Sequence, residues 1–177
     1  MKYYNLYSAV DNEAAYADLQ QTDAGIDDFI VYGEGDYRQQ AVFIAQEGYT
    51  PDNISQTDFI QTIPKMPLFS ERFVHKLAEH LEQELAFFPA KLKVRDKEFK
   101  CFLGKIKPSL ALVDFEQSDF YEIDGEQFID YPPVFLENIE GFEYCAKERS
   151  DSLIWIFTEK FKELVIANNL NIAFLPV

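Results

Sequence analysis

Cysteine and histidine are scarce in this chain, with two of each in 177 residues. Cys101 and Cys145 cannot build the multi-bridge framework of a small secreted domain, so both thiols are expected reduced and the compartment expected is the cytoplasm. His75 and His80 lie five residues apart. On a helix they would point about 140° from each other. The His-Glu-x-x-His pattern of zinc sites is missing, so they read as surface histidines and no metal or cofactor is expected. Long apolar runs are missing as well. Stretches such as Leu153–Phe157 and Ala173–Val177 fall far short of the roughly 20 residues needed to cross a bilayer. The opening Met1–Tyr7 has neither the apolar stretch nor the cleavage site of a signal peptide. Phosphate-binding and nucleophile motifs are also absent: Gly33-Glu34-Gly35 has no third glycine, and no Gly-x-Ser-x-Gly elbow occurs.

Positive charge is short overall: 16 Lys and Arg face 31 Asp and Glu, for a net charge of −15. The deficit is uneven. Residues 1–64 carry 11 acids and 2 bases, residues 65–108 carry 6 and 10, and residues 109–152 carry 12 and 2. Two acidic segments thus flank a mildly basic one. Such a field repels nucleic acid and anionic membranes and steers cationic partners inward. The lysines of the basic segment alternate with apolar residues, as in Leu92-Lys93-Val94, which is the solvent face of a half-buried sheet.

What is abundant is aromatic and aliphatic bulk. Hydrophobic residues make up 47% of the chain, with 17 Phe and 10 Tyr, enough for a packed core in one ordinary domain.

The most informative pattern is an internal repeat. Leu68-Phe69-Ser70-Glu71-Arg72-Phe73 leads to Leu85-Ala86-Phe87-Phe88-Pro89-Ala90. Ile156-Phe157-Thr158-Glu159-Lys160-Phe161 leads to Ile172-Ala173-Phe174-Leu175-Pro176-Val177. Ser70 and Thr158 suit helix N-caps, and Glu71 and Glu159 suit the first turn, where the helix dipole favours an anion. Phe73, Leu77 and Leu81 then recur at helical spacing, as do Phe161, Leu164 and Val165. Asn168-Asn169 suits a helix end, because Asn tolerates left-handed backbone. Each copy therefore predicts a cap, a helix and a short strand.

Between the copies the pattern predicts antiparallel strands: Leu92–Val94 and Phe99–Leu103 around a turn at Arg95-Asp96-Lys97-Glu98, then Leu110–Phe115, Tyr144–Ala146 and Leu153–Phe157. Residues 116–130 read as an acidic loop turning at Gly125. Before the repeat, Tyr3–Tyr7 reads as a strand and Ser8 as the cap of a helix over residues 9–20. Phe29–Tyr32 and Ala41–Ala45 read as strands about Gly33-Glu34-Gly35-Asp36. Residues 50–66 read as a connecting segment. The expected fold is α+β, a mainly antiparallel sheet with two similar cap-helix-strand units in the C-terminal two thirds. The organisation expected is an N-terminal lobe over 1–64 on a core over 65–177, within one compact unit.

The acidic loop is the candidate site. Asp114, Glu116, Asp119, Glu122, Asp124 and Glu126 cluster there. A calcium loop registered on Gly125 would begin at Phe120 and end at Tyr131, neither of which can serve, so an EF-hand is excluded. Paired carboxylates leave open a small hydrolase acting on a sugar or similar substrate. A solvated or partner-binding face is the simpler reading. The acids at 23–36, among them Asp27, Asp28, Glu34 and Asp36, form a second candidate surface.

These segments together resemble a known family. The residues that carry the likeness are Pro67–Phe73, Phe87–Leu92, Ala111-Leu112-Val113-Asp114-Phe115-Glu116-Gln117-Ser118, Ile156–Phe161 and Phe174–Val177, with Thr57-Asp58-Phe59-Ile60. Their order and spacing resemble the myxobacterial-type immunity domain of bacterial polymorphic toxin systems, long classed as a domain of unknown function. The resemblance runs over residues 57–177. It implies a protein that binds a cognate toxin domain and occludes its active site, and it carries over no catalytic residue; no cofactor and, from the charge, no nucleic-acid or membrane partner is expected. A scaffold piece that assembles with itself is the remaining class.

Overall fold

The computed structural model describes residues 2–20 and 25–177. Fourteen strands and two α-helices make up the described residues. In chain order, β1 (Tyr3–Tyr7), β2 (Ala17–Leu19) and β3 (Ala41–Ala45) come first, followed by β4 (Phe59–Ile60), β5 (Thr62–Ile63) and β6 (Leu68–Ser70). Helix α1 (Glu71–Leu81) leads to β7 (Leu85–Val94), β8 (Lys97–Ile106) and β9 (Ser109–Leu110). Then come β10 (Phe120–Ile123), β11 (Glu126–Ile129), β12 (Cys145–Glu148), β13 (Trp155–Thr158), α2 (Glu159–Ala167) and β14 (Ala173–Pro176). Most pairings are antiparallel, and the fold is α+β. No helix among the described residues is long and apolar enough to cross a membrane.

Two larger sheets and one small ribbon result. The seven-stranded sheet runs β4-β6-β8-β7-β3-β2-β5, and the five-stranded sheet runs β14-β1-β13-β12-β9. Residue 64 falls between neighbours of the seven-stranded sheet, since β2 to β5 precede it and β6 to β8 follow it. The N-terminal β1 belongs to the other sheet, inserted between β13 and β14. The fold is thus divided by sheet rather than by sequence position.

The repeat forms as its residues dictate. Ser70 Oγ accepts the Phe73 N–H at 3.1 Å, and Thr158 Oγ1 accepts the Phe161 N–H at 3.3 Å. At the end of α2, Asn169 adopts φ 52°, with its N–H on the Ile166 carbonyl and the Leu170 N–H on the Val165 carbonyl. That is the Schellman closure that a left-handed residue permits. Each unit also starts from a strand, β6 or β13, so that an aromatic residue before each cap packs against the one inside the helix. Phe69 and Phe73 lie 4.3 Å apart, and Phe157 and Phe161 lie 4.6 Å apart. The units meet each other through Phe73 and Phe161, 6.1 Å apart, and share one core with Leu77, Leu81, Val165 and Ile172.

The long hairpin spans two cores by strict alternation. Leu85 and Phe87 of β7 face the helical core, while Phe88, Ala90, Leu92 and Val94 face a second core built with Phe43, Ile30 and Met66. Opposite them, Leu103 serves the second core and Ile106 the helical one. Gly104 is required by close packing: a Cβ there would lie 2.8 Å from the Phe69 ring. The turn is shorter than the four residues expected. Val94 pairs directly with Lys97, leaving Arg95-Asp96 as a two-residue loop with Arg95 at φ 56°.

Several local expectations fail, each for a readable reason. Residues 9–20 are not a helix. The Ser8 hydroxyl accepts the Val10 N–H, and the Asn12 side chain accepts the Ala14 N–H. These short-range side-chain bonds compete with helical ones, and β2 then pairs with β3. Phe29–Tyr32 is not a strand: Asp28–Tyr32 forms a π-helical turn closed by Gly33 at φ 79°. Its inward residues Ile26, Ile30 and Val31 follow helical spacing. Residues 50–66 hold a 3-10 turn at Ile54–Gln56 as well as β4 and β5. Of the strand expected at Leu110–Phe115, only Leu110 lies in β9, with Val113 in an isolated bridge to Phe135.

Candidate functional site

The acidic segment is a hairpin rather than a loop. β10 and β11 pair from Phe120↔Ile129 to Ile123↔Glu126, and Asp124-Gly125 closes the turn with φ 52° and 84°. Asp-Gly is the dipeptide that best fits a two-residue turn with positive φ at both positions, a turn whose twist matches the strands it joins. The ribbon joins neither larger sheet. A free two-stranded ribbon is marginal by itself, so its base must be fastened.

The fastening is visible residue by residue. Ile129, the one buried residue of the ribbon, packs with Val113 and Ile154. The Asp130 N–H donates to the Asp119 carbonyl at 2.9 Å, and Ser118 Oγ accepts the Val134 N–H at 3.0 Å. Asp114, half-buried, accepts the N–H groups of Glu116 at 3.0 Å and Gln117 at 3.2 Å. Below it, the buried Glu148 carboxylate accepts the N–H groups of Leu112 at 2.7 Å and Val113 at 3.0 Å. Burial would raise the Glu148 carboxyl, but these bonds and two from Ser150 outweigh it and hold its pKa below the ordinary value. The neighbouring Lys147 amine donates to the Val31 carbonyl at 2.7 Å, and burial, aided by Lys105, lowers its pKa.

Beyond this base the ribbon is all surface. Strand alternation puts Tyr121, Ile123, Glu126 and Phe128 on one face, and Phe120, Glu122 and Gln127 on the other. Tyr121 stacks on Phe128 at 5.6 Å, and Phe120 stacks on Phe115 at 5.8 Å. All four rings are nonetheless exposed, as is Ile123, at 55%. Glu116, Asp119, Glu122, Asp124 and Glu126 are exposed too, and among the described residues none of them forms an ion pair. The site is therefore a projecting element that combines unneutralised carboxylates with uncovered aromatic rings. Contiguous exposed apolar surface of this kind marks interaction sites. Charge counting found the acids. The rings were legible as letters, but their exposure follows from the ribbon standing clear of both sheets.

The second acidic set lies elsewhere. Asp27 and Asp28 begin the π-helical turn, without a side-chain cap bond from Asp27. Glu34 and Asp36 lie in the exposed segment after it, with Asp36 paired to Arg38 at 3.3 Å. Asp23 lies outside the described residues. No hydrogen bond or ion pair among the described residues joins this set to the ribbon.

The cysteines, Cys101 and Cys145, are buried and the histidines lie on the surface. Burial pushes the Cys101 thiol up to about 12, and burial with the nearby Glu84 carboxylate raises Cys145 well above its ordinary value. His75 and His80 are exposed on α1. Among the described residues no cluster of His, Cys, Asp and Glu has the arrangement of a metal site. A cavity of about 360 Å³ lies beside the α1 cap, lined by Asp58, Ser70 and Arg72, and another of about 450 Å³ lies between Lys65, Tyr131 and Trp155. Neither is lined by a ribbon carboxylate. Compared with known proteins, the chain matches no family model and no curated protein.

Proposed function

We propose that this chain is an immunity-type binding protein that neutralises a cognate bacterial toxin domain by laying the β10–β11 ribbon into its active-site cleft. The observation that carries this reading is the projecting ribbon with exposed Tyr121, Ile123 and Phe128 beside Glu122, Asp124 and Glu126. Aromatic residues supply the anchoring energy of interfaces, and charge of one sign selects a partner of the other. The partner expected is a basic cleft, such as that of a nuclease, where carboxylates would stand in for phosphates. The resemblance over residues 57–177 supports the same reading, and the compartment that goes with it is the cytoplasm. A carboxylate-dependent hydrolase would need two acids converging in a cleft, whereas the ribbon acids alternate between two solvent-facing sides.

The test is co-expression with the toxin encoded beside this gene. Rescue of growth and co-purification are expected. Reversing Asp119, Glu122 and Asp124 together to Lys should slow association by about 10- to 100-fold at low salt and by much less at high salt. Unchanged association would remove the ribbon from the interface.

A further inference from the structure

The seam between the two sheets holds a chemistry that the ribbon does not use. The cavity of about 450 Å³ opens where β1, β4, β5 and β13 approach each other, and its volume lies in the range of small-molecule sites, about 300–1,000 Å³. Leu6, Phe59 and Met66 give it a buried apolar floor. Trp155, Tyr131, Tyr7 and Tyr16 give it aromatic walls. Among the described residues, Lys65 is the only charged one in its lining. In a chain of net charge −15, this cavity carries a lone cation and no acid of its own.

The Lys65 amine is held in place. It donates to the Leu153 carbonyl at 2.9 Å and lies 4.4 Å from the Trp155 ring centroid and 5.9 Å from that of Tyr131. An ammonium has three N–H donors; one bonds to protein among the described residues, and because the side chain is exposed the other two are open to solvent or to a ligand. Gln61, also in the lining, accepts the Ser8 N–H through Oε1. Its amide nitrogen remains as a second donor.

We propose that this seam cavity binds a small aromatic carboxylate, with its ring between the Trp155 and Tyr131 side chains and its carboxylate on the Lys65 amine. Flat walls select a planar ring, and a single cation with two donors open to a ligand selects one negative charge. Binding should depend on pH in a definite direction. Desolvation among the rings lowers the free amine's pKa to about 8, against the pull of Asp151 toward the charged form. The other titratable groups facing it are Tyr7, Tyr16 and Tyr131, and burial pushes the Tyr131 phenol up to about 12. The Tyr131 phenol therefore stays neutral below pH 9. An anion that needs the ammonium binds most tightly below pH 8. With a pKa of about 8, the protonated fraction, and with it the affinity, falls about tenfold from pH 7 to pH 9.

The experiment uses the full chain and its single tryptophan, Trp155, as the reporter. Titration with 3-phenylpropionate should give a saturable change in Trp155 fluorescence with a Kd on the order of 1 mM, as expected of so small a ligand. The neutral 3-phenylpropionamide should bind at least about tenfold more weakly. Lys65→Met should abolish carboxylate binding while far-UV circular dichroism stays unchanged. Lys65→Arg should retain binding and remove its loss between pH 7 and 9. No saturable change in the wild type, equal affinity for acid and amide, or undiminished binding to a folded Lys65→Met variant would each overturn the proposal.

Discussion

At the head of α1, Ser70 and Arg72 both turn to Asp58, whose carboxylate has no exposed surface. Arg72 holds it with Nε at 3.0 Å and a second nitrogen at 2.6 Å. At the head of α2, the matching Thr158 and Lys160 both turn to Glu143. The hydroxyl donates to its backbone carbonyl at 2.6 Å and the ammonium reaches its carboxylate at 3.0 Å, with that side chain 52% exposed. The same repeated residues thus meet an acid in both units, but at opposite degrees of burial. Asp58 has further duties, because it also accepts the Asn171 N–H at 2.7 Å and so ties the α1 cap to the segment that enters β14. The first cap is a joint between the two units. The second is a surface clasp. Sequence similarity between the copies conceals this difference, because burial is set by what the rest of the chain packs around each cap.

The comparison breaks most severely at the ring pair common to both units. Phe73→Ala and Phe161→Ala should each cost about 3–5 kcal/mol, since both side chains are fully buried. Chemical denaturation of the single and double variants should show a coupling of about 0.5–1.5 kcal/mol, and strict additivity would mean that the units do not share a core. Asp58→Ala should cost about 3 kcal/mol by leaving Ser70, Arg72 and the Asn171 N–H without their acceptor, whereas Glu143→Ala should cost less than about 1 kcal/mol. Equal losses would refute the distinction between joint and clasp. Ser70→Ala and Thr158→Ala should each cost about 1 kcal/mol, with Ser70 the larger because its hydroxyl donates to a buried carboxylate while that of Thr158 donates to a neutral carbonyl.

Two titrations sharpen the picture outside the caps. The Glu148 pKa is lowered in the folded protein, so its stabilising contribution is complete above the unfolded carboxyl pKa and is lost as pH falls from there through the folded pKa. Hydrogen exchange at the Leu112 and Val113 amides should accelerate in acid beyond its intrinsic pH dependence, and Glu148→Gln should bring that loosening to neutral pH. The Lys65 pKa is also lowered, to about 8. Here the unfolded chain binds the extra proton, so the melting temperature should gain a small increment as pH rises from 8 toward the unfolded lysine value, and Lys65→Met should remove it.

The capped helices were readable because their signals are local: a hydroxyl cap, an acid in the first turn and an aromatic stripe at helical spacing. The N-terminal turns were not, because Ser8 and Asn12 carry the same cap letters while bonding only two residues ahead. The insertion of β1 between β13 and β14 left no local mark, since the register of so distant a pair is set by packing. The ribbon acids were found by counting charge. That they ride on a hairpin was signalled by Asp124-Gly125, a turn dipeptide obscured by the density of acids around it. The seam cavity had no sequence signature, because Lys65 and Trp155 are brought together only when the two sheets close on each other.

The central claim is that the ribbon is the working surface and the two capped units are its support. Replacing residues 121–128 with a short Gly-Ser turn, which leaves the buried Ile129 in place, then measuring thermal stability and growth rescue against the toxin proposed as partner, tests it most directly. The account predicts a melting temperature within a few degrees of wild type and loss of rescue. Full rescue by the shortened chain would contradict it.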